Sequence, residues 1–132
     1  MDARADVTTW THAADLWYHG SPEELVALQV GSTITQERAL AVTFSHKPSL
    51  VVQNDGRIRH NGQRPGFLYA IAEPVTPDDI TPVPGSTMGV GQEWLTRRPL
   101  LLVLLERTSP SPADLFSDAE VAAYRQRLTD TP

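Results

Sequence analysis

The chain is a succession of short apolar runs, without the regular alternation of strands and helices that defines a doubly wound nucleotide fold. Aromatic and branched residues between Gly66 and Pro74 predict a strand over 67–72. Other runs predict strands over 16–19, 39–44, 57–59, 93–96 and 100–107. The order of these runs predicts an α+β fold with a largely antiparallel sheet.

Two capping boxes predict where helices begin. In the first, Ser21 precedes Glu24 by three residues, and a short early helix is expected because Gly31 follows soon after. In the second, Ser117 precedes Glu120 and predicts a C-terminal helix. The residues expected to face inward are Leu25, Val26 and Leu28 in the first helix, and Val121, Tyr124 and Leu128 in the second.

Length and composition are those of one globular domain, with 132 residues, 40% hydrophobic and 20% charged. We expect an N-terminal arm over 1–14, a core over 15–108, and a linker with the C-terminal helix over 109–132. No apolar run approaches the roughly 20 residues of a membrane helix, and the polar N-terminus does not resemble a signal peptide. A cytoplasmic location without membrane contact is therefore predicted.

Charge and residue usage exclude several classes of partner and site. The net charge is −5 and no basic stripe is present, so a duplex-DNA footprint is not expected. Cysteine is absent, which excludes disulfides and thiolate chemistry. His46 and His60 lie fourteen residues apart without the spacing of metal ligands, and we predict no metal site.

The tetrapeptide Tyr18-His19-Gly20-Ser21 is the strongest functional signal in the chain. A His-Gly pair at the end of a strand offers an imidazole and a bare backbone to one pocket, because glycine lets a ligand approach the main chain closely. A second signal is Glu93, an acid at the start of a predicted strand. Together they predict a nucleotide site with one working carboxylate.

The order of these motifs resembles that of the ADP-ribosyltransferase-like superfamily. Residues 18–21 resemble the Tyr-His-Gly-Thr/Ser signature that opens many of these domains. Residues 42–50 resemble the second motif, a strand followed by a turn and a short helix, and 67–71 resemble a core strand. Residues 91–95 resemble the third motif, in which a glutamate opens a strand. The likeness is closest to small bacterial His-type members, which include the rifampin-modifying transferases.

The resemblance implies a split, largely antiparallel β-sheet sandwich that binds NAD as a co-substrate. It implies that His19 bonds the ribose on the adenine side and that Gly20 presents backbone groups to the nicotinamide carboxamide. It implies that Phe44 packs near the nicotinamide ring and that Ser45 contacts the ribose region. Ser21 belongs to the same cofactor-binding motif, although its capping box accounts for it without a ligand.

The resemblance also implies that Glu93 is the catalytic residue of an NAD-dependent ADP-ribosyltransferase, a glycosyltransferase that cleaves the bond between nicotinamide and ribose. Cleavage leaves an electron-poor, oxocarbenium-like sugar. A hydrogen bond from the ribose 2′-hydroxyl to the carboxylate strengthens as this charge develops. The carboxylate could also orient or deprotonate a nucleophile.

Three departures from the family pattern leave alternatives open. Thr43 and Phe44 occupy the region where the second motif usually has tyrosine, and Gly91 stands where arginine-directed enzymes have the first acid of Glu-x-Glu. Rifampin-type enzymes place an aspartate at their acidic position, so Asp78 or Asp79 is a rival to Glu93. The alternatives are a non-catalytic module that binds a nucleotide or a protein and, ranked lower, an RNA 2′-phosphotransferase-like enzyme. The acceptor of ADP-ribose, whether protein, nucleic acid or small molecule, is not predicted.

Overall fold

The computed structural model of the chain describes residues 16–54, 56–84 and 93–130, the last three without their side chains. Nine strands and two α-helices lie in these ranges. The strands are β1 (Tyr18–Ser21), β2 (Ala27–Leu28), β3 (Thr33–Ile34), β4 (Val51–Asn54), β5 (Arg57–His60), β6 (Gly66–Ile71), β7 (Ile80–Pro82), β8 (Trp94–Thr96) and β9 (Leu100–Thr108). The helices are α1 (Arg38–Ser45) and α2 (Asp118–Asp130). None of the helices in these ranges is long and apolar enough to cross a membrane.

The strands form three antiparallel sheets, which confirms the predicted α+β class. One sheet has the order β1-β6-β9-β2, the second has the order β3-β8-β7, and β4 and β5 form a separate hairpin. Every ladder between the described strands is antiparallel. The β6–β9 ladder is the longest, and its register shifts between Leu68 and Tyr69, where a bulge interrupts the pairing.

Two apolar clusters cover the two faces of the four-stranded sheet. Alternation along β1 and β6 directs Tyr18, Leu68 and Ala70 toward Ala41 of α1. The opposite face of β6 carries Ile71. It packs between the sheets in a cluster whose other buried members are Leu28, Ile34 and Leu100. The four-stranded sheet is therefore covered by α1 on one side and by the β3-β8-β7 sheet on the other.

The prediction of a helix after Ser21 is wrong. The Ser21 hydroxyl accepts a hydrogen bond from the Glu23 amide (3.0 Å), which closes only a local turn. The Leu25 amide donates to the Tyr69 hydroxyl (2.7 Å), and the chain then enters β2. Val26, expected inside, is 90% exposed. A capping interaction contributes only about 1 kcal/mol, and here the bond to Tyr69 and the pairing of β2 with β9 decide the conformation.

The prediction of a strand over 39–44 is also wrong, because these residues form most of α1. Short apolar runs do not distinguish a buried strand from a buried helix by periodicity. In the fold, Leu40 and Ala41 are fully buried on one side of the helix, and Thr43 donates its hydroxyl to the Ala39 carbonyl one turn earlier (3.0 Å). The strand of this region is β4, over 51–54.

The C-terminal helix and its capping box are confirmed. The Ser117 amide donates to Glu120 Oε1 (3.0 Å) and the Glu120 amide donates to Ser117 Oγ (3.1 Å). Val121 is buried, and the rings of Phe116 and Tyr124 lie 5.0 Å apart. Leu128 is also expected to face inward, but its side chain is not among those that the structure describes. The helix is joined to the β4–β5 hairpin by an ion pair between Glu120 and Arg59 (3.0 Å).

Helix α1 ends in an unfavourable backbone conformation. Lys47 follows the helix with φ = 54°, which is the left-handed region that favours glycine, and its amide donates to the Phe44 carbonyl (3.1 Å). Its side chain is exposed. The conformation therefore lowers stability without a compensating buried contact from the lysine side chain.

We predict that Lys47→Gly raises the free energy of unfolding by about 0.5–1 kcal/mol. The substitution removes the steric cost of a left-handed lysine and is partly offset by the greater freedom of glycine in the unfolded chain. Urea denaturation at equilibrium measures the change. Lys47→Ala is the control, because it removes the same side chain and keeps the strain. Equal stability of the two variants would contradict the prediction.

Two buried histidines join α1 to the hairpin. The imidazoles of His46 and His60 stack with centroids 5.5 Å apart. His46 Nδ1 donates to the Arg64 carbonyl (2.8 Å), and His60 Nδ1 accepts from the Gly62 amide (3.0 Å). Burial lowers the pKa of His60 below its ordinary value of 6.5, with a smaller contribution from His46, while Asp114 opposes both.

The lowered pKa of His60 makes stability depend on pH in one direction. Below pH 6.5 the unfolded chain binds a proton that folded His60 does not, so the free energy of unfolding falls as pH drops toward the folded pKa and is level above 6.5. We expect this from unfolding curves between pH 4.5 and 8. His60→Asn, whose side-chain oxygen can still accept from Gly62, should have a shallower slope. An unchanged slope would show that His60 is not responsible.

Candidate functional site

A cleft of about 230 Å³ lies where β1, β3, α1 and the start of β8 meet. Strand β1 contributes Tyr18, His19 and Gly20, the β3 segment contributes Thr33 and Thr35, α1 contributes Ala41 and Phe44, and Glu93 precedes β8. Four of the six residues predicted for the site, His19, Gly20, Phe44 and Glu93, thus line one concavity. They come from three segments that are remote in the chain.

The backbone of Gly20 is directed toward this cleft by the pairing pattern of β1. The Tyr18 amide donates to the Thr35 carbonyl (2.7 Å), and the Thr35 amide donates to the Tyr18 carbonyl (3.0 Å). Because backbone groups alternate in direction along a strand, Gly20 points its N–H and C=O to the same side as Tyr18, away from β6. A donor and an acceptor of the main chain therefore lie side by side at the cleft.

Glycine at position 20 is required by the helix as well. A Cβ built on Gly20 would overlap the carbonyl oxygen of Ala41 and would lie 2.9 Å from the Ser45 amide nitrogen. The close approach brings α1 onto the backbone of β1, so that Ala41 and Phe44 reach the cleft. The sequence suggested a bare backbone for a ligand, and the structure adds that this backbone supports α1.

His19 has a defined tautomer. Its Nδ1 lies 2.6 Å from the Thr33 carbonyl oxygen, which can only accept, so Nδ1 carries the hydrogen. Burial lowers the pKa of His19 below 6.5, and the hydrogen bond to Thr33 opposes this shift. The ring is thus neutral at pH 7, and Nε2 is a hydrogen-bond acceptor.

Glu93 reaches the cleft because β8 is anchored immediately after it. Trp94 pairs with Ile34 in β3, and its ring meets that of Trp17 edge to face, with centroids 6.3 Å apart. Glu93 is partly buried and lines the cleft with His19. The cleft therefore combines a carboxylate, a neutral imidazole, a phenyl ring and a main-chain donor–acceptor pair.

The two serines predicted for the site do not line the cleft. Ser21 is buried, and its hydroxyl accepts from the Glu23 amide. Ser45 is fully buried and forms a hydrogen bond with the Thr108 hydroxyl (2.6 Å). The partner of Ser21 is local, whereas Thr108, the partner of Ser45, is 63 residues away and is not revealed by the local sequence.

The rival acids lie elsewhere. Asp79 Oδ2 accepts from the Thr76 amide (2.8 Å), and Asp79 Oδ1 accepts from Arg98 Nε (2.8 Å). The hydrogen bond from Arg98 is the main cause that lowers the pKa of Asp79 to about 2. Asp78 is exposed in the same short turn. Neither residue lines the cleft, whereas Glu93 does.

Sequence reasoning missed Thr33, Thr35 and Ala41 as lining residues. The alternation of threonine around Ile34 is a strand signal that could have located β3. Their position at the cleft follows only from the pairing of β1 with Thr35 and of β3 with β8. In the described ranges no three His, Asp or Glu side chains are grouped as metal ligands would be.

Comparisons with known proteins do not identify a family. No protein-family model matches the chain, and neither a curated protein nor a solved structure is significantly similar to it.

The close approach at Gly20 generates a test of the site's architecture. We predict that Gly20→Ala lowers the free energy of unfolding by about 3 kcal/mol or more, because the overlapping atom is main-chain carbonyl and cannot rotate away. Gly31→Ala is the comparison, since open space surrounds Gly31 and only its φ of 85° opposes a side chain. Chemical denaturation should find a loss of about 1 kcal/mol there. Equal losses in the two variants would contradict the packing argument.

Proposed function

We propose that this chain is an NAD-dependent ADP-ribosyltransferase or a close NAD glycohydrolase relative. The observation that carries the proposal is the shared cleft, in which His19, Gly20, Phe44 and Glu93 meet although Glu93 lies 74 residues beyond His19. This grouping matches the chemistry that the motif order suggests. The further support is the match between the polar groups of the cleft and those of a nicotinamide riboside.

The binding groups are complementary to a ribosylated amide. Neutral His19 offers an acceptor to a ribose hydroxyl, which is a donor. The adjacent N–H and C=O of Gly20 match the acceptor and the donor of the nicotinamide carboxamide. Phe44 supplies an aromatic face or edge to the planar ring. The cleft volume of about 230 Å³ is below the range of roughly 300–1,000 Å³ that is usual for ligand pockets. This cleft therefore takes the nicotinamide–ribose half of NAD, and the rest of NAD extends beyond it.

Glu93 supplies the electrostatic part of the reaction. The bond between ribose C1′ and the nicotinamide nitrogen breaks, and its electron pair leaves with nicotinamide. The positive charge that develops on the sugar is stabilised by the nearby carboxylate and by a strengthened hydrogen bond from the 2′-hydroxyl. The acceptor adds at C1′ and loses its proton to a base or to water; Glu93 can orient it.

A non-catalytic nucleotide-binding module is the second candidate. One observation favours it: residues 38–45 form a helix, where the second family motif would have a strand. Phe44 also lacks the hydroxyl of the tyrosine that is usual there. A protein of this kind would bind NAD through the same cleft and release no nicotinamide.

The first experiment separates these candidates. A melting scan with millimolar NAD should raise the midpoint, because a ligand that binds only the folded state stabilises it. Chromatography of the same samples measures released nicotinamide. Binding with release supports the transferase or glycohydrolase, and binding without release supports the module. A flat midpoint and no release would exclude both.

We predict that Glu93→Gln reduces nicotinamide release by about 10²-fold or more while it retains the fold and most of the affinity for NAD. The amide preserves the size of the side chain and removes its negative charge, so the transition state loses more than the bound substrate. Glu106→Gln is the matched control, because Glu106 lies on β9 in an exposed pair with Arg38 (3.4 Å). Equal turnover in Glu93→Gln and the parent protein would remove Glu93 from the mechanism.

A further inference from the structure

A second groove lies between the β4–β5 hairpin and the segment that contains Phe116 and α2. Its volume is about 220 Å³, and it is lined by Val52, Asn54, Arg57, Arg59, Phe116 and Tyr124. In the ladder, Val52 pairs with Arg59 and Asn54 pairs with Arg57. Residues that are directly opposite, or two apart on a strand, project from the same face. One face of the hairpin therefore forms the floor, and the two aromatic residues form the wall.

The hairpin that forms the floor of the groove is basic, although the protein as a whole is acidic. Residues 46–66 contain Lys47, Arg57, Arg59 and Arg64 and a single acid, Asp55, whereas the whole chain has a net charge of −5. Arg57 and Arg59 are both on the floor of the groove. The Cα atoms of residues two apart on a strand are about 7 Å from each other, and their side chains project from the same face. Two guanidinium groups placed in this way can bond different oxygens of one anion.

The protein holds Arg59 in a fixed orientation. Its Nη1 donates to Glu120 Oε2 (3.0 Å), and its Nη2 donates to the Leu115 carbonyl (3.1 Å). Its guanidinium carbon lies 4.5 Å from the centre of the Phe116 ring. A guanidinium that is oriented before a ligand arrives loses little conformational freedom on binding. Glu120 neutralises part of the charge of Arg59, so Arg57 is the more available of the two guanidinium groups.

Arg57 is the second guanidinium of the groove and has a neutral partner. Its Nη2 donates to the Ala113 carbonyl (2.6 Å), which is a neutral partner. Its side chain is exposed, and it forms no ion pair with any residue in the described ranges. Its remaining N–H groups can therefore turn to a ligand in the groove while the bond to Ala113 holds one end of the guanidinium.

We propose that this groove binds the phosphate group of a small phosphorylated molecule. The phosphate bonds to Arg57 and Arg59, Asn54 offers its amide, and the organic part of the ligand lies against Val52 and Tyr124. The concave shape and small volume favour a small molecule over an extended polyanion. The site is separate from the cleft of the proposed function and does not depend on it.

Phenyl phosphate and inorganic phosphate are suitable probes, because neither contains the nicotinamide–ribose group expected in the other cleft. Titration at constant ionic strength, with chloride as the balancing anion, should shift the Nε–H resonances of Arg57 and Arg59 in ¹⁵N–¹H spectra. Arg57→Gln should weaken phenyl phosphate binding about tenfold. Arg107→Gln is the matched control on β9, outside the groove, and should change the affinity less than about twofold.

Arg57→Gln is preferred to a change at Arg59, because Arg59 also holds α2 through Glu120. Unfolding curves of both variants check that the fold is intact. Equal weakening by Arg57→Gln and Arg107→Gln would mean nonspecific attraction and would overturn the proposal. The proposal would also fail if neither phenyl phosphate nor inorganic phosphate shifted the two resonances.

Discussion

The backbone contact between α1 and the edge of the four-stranded sheet is the constraint on which the rest of the structure depends. Gly20 allows the Ala41 carbonyl to approach β1, and a Cβ on Gly66 would overlap the Ser45 carbonyl in the same way. With a larger residue at either position, the helix would have to move outward by the width of a methyl group. The same contact brings Phe44 to the cleft on one side of the helix and His46 to the hairpin on the other. The candidate site and the attachment of the hairpin therefore rest on one steric condition.

Two acids considered for the proposed reaction, Asp79 and Glu93, lie in different surroundings. Asp79 accepts hydrogen bonds from Thr76 and Arg98, and the Arg98 side chain also donates to Glu73 (2.6 Å), so these charges join the 72–79 segment to the β8–β9 turn. Glu93 instead lines a cleft with a neutral imidazole and a phenyl ring. A carboxylate in that setting is suited to stabilising positive charge on a ligand. Its position in the cleft is the physical reason to prefer Glu93 over Asp79 in the proposed reaction.

Local signals predicted an element correctly where burial and local preference agreed. The strand over 67–72 has aromatic and branched residues and is β6 at the centre of its sheet, and the capping box at Ser117 begins α2 with both expected hydrogen bonds. The capping box at Ser21 failed because Tyr69, 44 residues away from Leu25, accepts the amide that a helix would have used. The run over 39–44 failed because alanine, leucine and valine suit a buried helix as well as a buried strand.

The sequence by itself determined the strand-rich character of the chain, its C-terminal helix, and the residue types that could form a nucleotide site. Each of these depends on neighbours within a few residues, through alternation, capping or turn preference. Only the tertiary structure decided that His19 and Glu93 share a cleft while Ser21 and Ser45 do not line it. Only the tertiary structure, likewise, aligned Arg57 and Arg59 against α2. Such groupings depend on pairings between residues remote in the chain, where the free energy of packing outweighs local preferences of about 1 kcal/mol.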